Sequence, residues 1–149
     1  MNSQRDLAEL PRDEARRLLA SVPFGRVVFT ARAMPAIRPV NHLVDGSRII
    51  IRTSLGSALS TDVDYVGTVV AYEADEIDPV TRRGWSVVVV GRALPVTDGL
   101  LSARYRQALQ PWAAGHRDEV IAISTDMVTG YRLLPPDEPK VLPIPAGSS

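Results

Sequence analysis

Apolar positions along the chain change period several times, and each change marks an element. From Leu7 to Val22 they fall at Leu7, Leu10, Ala15, Leu18, Leu19 and Val22, the spacing of one helix face. Asp13 and Glu14 precede Arg16 and Arg17, an order that suits the helix dipole, and Pro23 closes the segment. The period then shortens to that of strands. Gly25–Thr30 is β-branched and aromatic, Met34-Pro35 marks a turn, and Ala36–Val44 is extended. Asp45-Gly46 carries a hairpin signal and Arg48–Thr53 is the return strand. Pro39 gives no N–H to a ladder, so its segment is expected at an edge, a bulge or the start of pairing.

Ser54 can cap a short helix over Leu55–Asp62. Val66–Ala74 is a strand apolar enough to be buried, and Asp75–Gly84 is a polar loop. Trp85–Val96 is the longest predicted strand, with Gly91 as a candidate bulge. Asp98 caps a helix running to Leu109, which Pro111-Trp112 breaks. Glu119–Ser124 and Gly130–Leu134 are the last strands, with a hairpin across Thr125–Thr129. Residues 1–6 and the Pro-rich stretch 135–149 read as loose ends around a domain spanning 7–134. The pattern predicts a mainly β protein of six or seven antiparallel strands and two or three helices. It is either a closed or partly closed barrel, or a sheet with helices on one side. Strands and helices do not alternate, which excludes a doubly wound sheet.

Composition narrows the chemistry. The 149 residues suffice for one domain with a real core. Net charge is zero, which gives no argument for a nucleic-acid or membrane partner. No apolar run approaches the roughly 20 residues of a membrane span, and no secretory h-region follows the N-terminus, so a cytoplasmic protein is expected. The absence of cysteine excludes disulfides, thiolate catalysis and Cys-ligated zinc. His42 and His116 are the two histidines, too few and too far apart for a histidine-rich metal site. There is no GxGxxG, P-loop, GxSxG or HExxH motif, so any chemistry would be borrowed from a cofactor.

The candidate site is Arg38-Pro39-Val40-Asn41-His42, followed across the hairpin by Ile51-Arg52-Thr53-Ser54-Leu55-Gly56-Ser57. Two arginines on paired strands beside hydroxyls at a helix start can form an anion site. On these residues alone, solvated arginines and capping hydroxyls are the simpler reading. His42 suits either a hydrogen bond to a ligand or a place in the core bonded to backbone. Trp85 suits a core or interface anchor as well as a ring-stacking role. Glu73, Asp75, Glu76 and Asp78 fit a solvated loop better than a metal cluster, and Arg82, Arg83 and His116 read as surface groups.

The ordered set of Arg38–His42, Ile51–Ser57, Val69–Asp75, Gly84–Val87 and Gly91–Ala93 resembles the pyridoxamine 5'-phosphate oxidase-like split barrels, in particular the branch with nitroimidazole-reductase-like proteins. The likeness runs from about Leu18 to Leu134. It implies a six-stranded Greek-key split β-barrel that forms a homodimer with FMN between the subunits. Arg38, Arg52, Thr53 and Ser57 would meet the phosphate and ribityl chain. Val40, Asn41 and His42 would run beside the isoalloxazine, and Trp85 and Ser86 would approach from the partner. The implied function is an FMN-dependent oxidoreductase acting on a small molecule, with NAD(P)H as a candidate donor. The alternatives are a non-catalytic flavin or F420 carrier or sensor, or a cofactor-free structural dimer. One departure stands out: Ala58 occupies the place of a lysine usual at the phosphate. Losing such a charge-assisted contact costs about 1.5–3 kcal/mol. The C-terminal arginine pattern of true pyridoxamine phosphate oxidation is not found either.

Overall fold

A computed structural model of the chain describes residues 7–53, 67–110 and 119–134. Among these residues, eight strands and two helices follow in the order β1 (Leu7–Glu9), α1 (Arg12–Ala20), β2 (Phe24–Ala31), β3 (Met34–Asp45), β4 (Arg48–Thr53), β5 (Thr68–Ile77), β6 (Gly84–Pro95), α2 (Gly99–Ala108), β7 (Glu119–Ser124) and β8 (Met127–Leu133). The sheet order is β1-β8-β6-β5-β2-β3-β4-β7, and a further pairing of β6 with β7 closes six of the strands into an antiparallel barrel.

The closure depends on β6 serving three neighbours. One edge pairs with β5 along its whole described length, from Thr68↔Ala93 to Ile77↔Gly84. The other edge pairs with β8 over Gly84–Val90 and with β7 over Ala93–Pro95. Gly91 lies between those two pairings. It is not the bulge its sequence position suggested, because the β5 register runs through it unbroken (Val70↔Gly91). What it provides is space: a Cβ there would lie 1.6 Å from the Ser124 carbonyl oxygen, so the barrel splits where only hydrogen fits.

Alternation sorts the residues. Val27, Phe29, Val40, Ile49, Ile51, Val70, Tyr72, Val87, Val89, Ile121 and Ile123 are buried in one core, with Ala15 and Leu19 of α1 packed among them. A second, smaller cluster lies on the opposite face of β4 and β7, where Tyr105 and Leu109 of α2 cover Ile50, Val120 and Ala122.

Several predicted boundaries shift, each for a local reason. The first helix begins at Arg12, after Pro11, and Leu7–Glu9 pairs instead with Leu133–Tyr131 of β8. The first hairpin turns at Arg32 and Ala33, both at positive φ (54° and 61°), two residues before the Met34-Pro35 signal. The second turns at Gly46 and Ser47, because Asp45 is already paired with Arg48. The acidic stretch after Ala74 continues as strand to Ile77. The hairpin expected across Thr125–Thr129 does not form: β8 starts at Met127 and, like β7, runs antiparallel along the same edge of β6, so Thr125 and Asp126 only interrupt one edge. The predicted short helix after Ser54 lies outside the described residues. No helix among the described residues is long and apolar enough to cross a membrane.

Candidate functional site

The candidate residues sit on the barrel end where β3 and β4 meet the C-terminus of α2. Pro39 causes no loss there: it pairs with Arg26 of β2, while β4 pairs with β3 only from His42 onward. Asn41 and Arg52 lie on the face that α2 covers. The Asn41 side-chain amide donates to the Gln110 carbonyl. Arg52 Nη1 donates to the carbonyls of Arg106 and Leu109, each at 2.9 Å. These are the unpaired carbonyls that a helix end presents, and a guanidinium is a favourable cation there. Arg52 therefore anchors α2, a role its place in Ile-Arg-Thr did not reveal.

Arg38 and Thr53 fall on the other face by strand alternation, with Val40 and His42. Arg38 is exposed and its Nη1 donates to the Ile37 carbonyl at 3.0 Å. Thr53 and Val40 are buried. Ser57, together with Ala58, lies outside the described residues, as does His116.

His42 points inward. Its Nδ1 lies 2.5 Å from the Tyr72 hydroxyl and its Nε2 2.8 Å from the Leu19 carbonyl. The carbonyl can only accept, so Nε2 carries the proton and Nδ1 accepts from Tyr72. Burial lowers the histidine's pKa, against a raising contribution from the Leu19 carbonyl. Both ring nitrogens are thus used inside the chain, the second of the two readings that its sequence left open. Its backbone N–H is used as well, by the Pro23 carbonyl at 2.9 Å.

Trp85 is also a core residue, 4% exposed, and the outward side chains of its strand are Ser86, Val88 and Val90. Ser86 pairs with Asp75 and Tyr131. It lies three strands around the barrel from Asn41, so one chain does not bring the two together.

Sequence reading missed a charged cluster beside them. Arg26 Nη1 lies 2.6 Å from Glu73 and 3.4 Å from Asp75 on the outer face of β2 and β5. Burial first, then the hydrogen bond with Asp75, pushes the Glu73 carboxyl up to about 7, although Arg26 works against both. The signal was present in the i, i+2 spacing of the two acids once Val69–Asp75 was read as strand. No group of three or more metal-ligating side chains occurs among the described residues; Asp78 instead accepts from the N–H groups of Val80 and Thr81.

Comparison with known proteins places the architecture. A crystal structure of a candidate pyridoxamine 5'-phosphate oxidase from Corynebacterium glutamicum superposes with a TM-score of 0.72 at 31% identity, over 87% of this chain and 99% of that one. The FAD binding protein from Mycobacterium smegmatis gives 0.65 at 29%, over 85% and 97%. The uncharacterized protein Rv0080 of Mycobacterium tuberculosis (strain ATCC 25618 / H37Rv) is 54% identical over 135 residues, 89% of each chain. A profile described as pyridoxamine 5'-phosphate oxidase matches residues 11–135, and the chain belongs to that family of split barrels.

Proposed function

We propose that the chain binds a flavin, FMN in the first instance, between two copies of itself and uses it as an oxidoreductase on a small molecule. The observation that carries this reading is the placing of Asn41 and Arg52 where β3, β4 and the end of α2 converge, with the Thr53 hydroxyl on the opposite face of β4, in a chain of this family. An amide, a guanidinium fork and a hydroxyl are the donor set that a phosphate and a polyol chain require. The described residues fit that polar end of the cofactor. Arg38, exposed on the neighbouring face, adds a second cation. Bound there, the flavin would supply the hydride and electron chemistry, and the chain would supply position and charge.

A second copy is needed to complete the site, since Ser86 lies around the barrel from Asn41. Support for a homodimer comes from the outer face. Val28 pairs with Ile37 and Ala71, Ala71 with Val90, and Val90 with Met127, an apolar row across five strands. Ile37 and Met127 at its ends are 54% and 64% exposed, and Val69 beside it is 55% exposed. A continuous outward apolar row is surface that a partner covers.

FAD is the second reading, because the Mycobacterium smegmatis relative binds it. Fluorescence titration of the flavin-free protein with FMN, FAD and riboflavin tests both. FMN is expected to bind more tightly than riboflavin, by its phosphate alone; equal affinities would remove the phosphate from the proposed contacts. Oxidation of NAD(P)H in the presence of an electron acceptor then separates an enzyme from a flavin or F420 carrier.

A further inference from the structure

A recess lies at the N-terminal end of α2. Its volume is about 570 Å³, within the roughly 300–1,000 Å³ of small-molecule pockets. It opens between the first turn of α2 and the outer face of β4, β7 and β6. Strand register builds it in two rows. Ser124 of β7 pairs with Arg48 of β4, and its hydroxyl accepts the backbone N–H of Arg92 of β6 at 2.9 Å. Arg48 and Arg92 therefore flank Ser124 from strands about 10 Å apart. One step along, Ala122 pairs with Ile50 and Leu94, and Leu101 of α2 closes over that apolar floor.

The charges lining the recess are unequally committed. Asp98 spends a carboxylate oxygen on the Leu101 N–H at 3.0 Å. Arg48 Nη2 donates to the Tyr105 hydroxyl at 3.1 Å, one of the five N–H bonds its guanidinium can make. Among the described residues, the Arg92 guanidinium and the Asp126 carboxylate have no partner. A fixed cation above an apolar floor, with a hydroxyl between two guanidinium groups, suits an acid with an aliphatic body.

We propose that this recess binds a small amphipathic carboxylate, held between Arg48 and Arg92 beside Ser124, with its aliphatic part over Leu94, Ala122 and Leu101. Two kinds of molecule share that chemistry: a simple aliphatic acid, and an apolar α-amino acid whose ammonium would meet Asp126. The site is separate from the flavin end. Arg48 and Thr53 are opposite ends of β4, about 17 Å apart, and α2 is about 15 Å long.

Amide NMR of the purified, flavin-loaded protein tests this with hexanoate, norleucine, hexylammonium and hexan-1-ol as probes. Saturable shifts of the Val96, Leu101, Ala122 and Ser124 signals are expected with hexanoate or norleucine, and none with hexylammonium or hexanol. Arg92→Gln, an exposed substitution that leaves the other amide signals in place, should weaken the acid by about tenfold or more. Tighter binding of norleucine, lost in Asp126→Asn, assigns the amino acid class; equal or weaker binding assigns the simple acid. Absence of saturable shifts with both acids would overturn the proposal. So would shifts with hexanol matching those with hexanoate, or unchanged hexanoate affinity in Arg92→Gln. None of these outcomes depends on whether a flavin occupies the other end.

Discussion

His42 shows how a residue with chemical promise is taken up by the fold. Its ring bridges the Leu19 carbonyl at the end of α1 and the Tyr72 hydroxyl on β5, so three elements meet on one imidazole. His42→Phe would fill the volume but leave the Leu19 carbonyl without its imidazole donor and the buried Tyr72 O–H without its acceptor. An orphaned buried group costs about 1–3 kcal/mol, so the variant should lose about 2–4 kcal/mol in urea unfolding; a loss well under about 1 kcal/mol would contradict the bonding described. Glu73 makes a pH prediction. Its native carboxyl titrates at about 7, against 4.5 ordinarily, so the native state holds a proton that the unfolded chain releases. The stability this contributes is fully present below about 4.5 and is lost as pH rises through about 7. His42 works in the opposite sense: its pKa is depressed, so its contribution is present above the unfolded value of about 6.5 and lost as pH falls. Glu73→Gln should therefore remove the falling component and leave stability rising with pH across this range. Urea midpoints between about pH 5 and 8 check it, and an unchanged profile would show that Glu73 is an ordinary surface acid.

The last helix is held over its C-terminal half by contacts with the strands beneath it. Arg52 binds carbonyls of its last turn and C-cap, and Asn41 the Gln110 carbonyl just beyond. Tyr105 donates to Asp45 at the β3–β4 hairpin, and burial with that carboxylate raises the phenol's pKa, which keeps the donor protonated. Arg52→Ala is thus expected to cost about 1–3 kcal/mol of stability through lost bonds to α2, besides any flavin affinity. Unfolding and flavin titration of the same variant separate the two effects, and unchanged stability would mean that the bonds to α2 contribute nothing. At this scale much was legible. The bounds of β4 and β7 match their apolar patterns exactly as read, and Asp98 caps α2 as its type suggests. What was hidden has physical causes. Arg32 and Ala33 carry no turn signature, since neither is Gly, Asn or Asp, yet both take positive φ. Leu7–Glu9 has a helical spacing that a distant partner, β8, overrides. Arg52 looks the same in sequence whether it faces a phosphate or a helix end.

For the molecule as a whole, alternation within each strand settles which faces are buried, but the barrel closure rests on Gly91, whose lack of a side chain lets the Ser124 backbone approach β6 where its pairing passes from β8 to β7. The apolar row from Ile37 to Met127 is invisible along the chain because its members come from five strands, and only register aligns them. Ile37→Asp, at a 54% exposed end of that row, should leave the fold intact and shift the sedimenting species from dimer to monomer; a parent that is monomeric at every concentration would remove the second copy from the site. The cofactor itself is the central claim. Purified protein incubated with FMN and then desalted should keep the visible absorption of a bound flavin, in proportion to the chain, whereas protein that emerges colourless and shows no binding of FMN or FAD on titration would contradict the account.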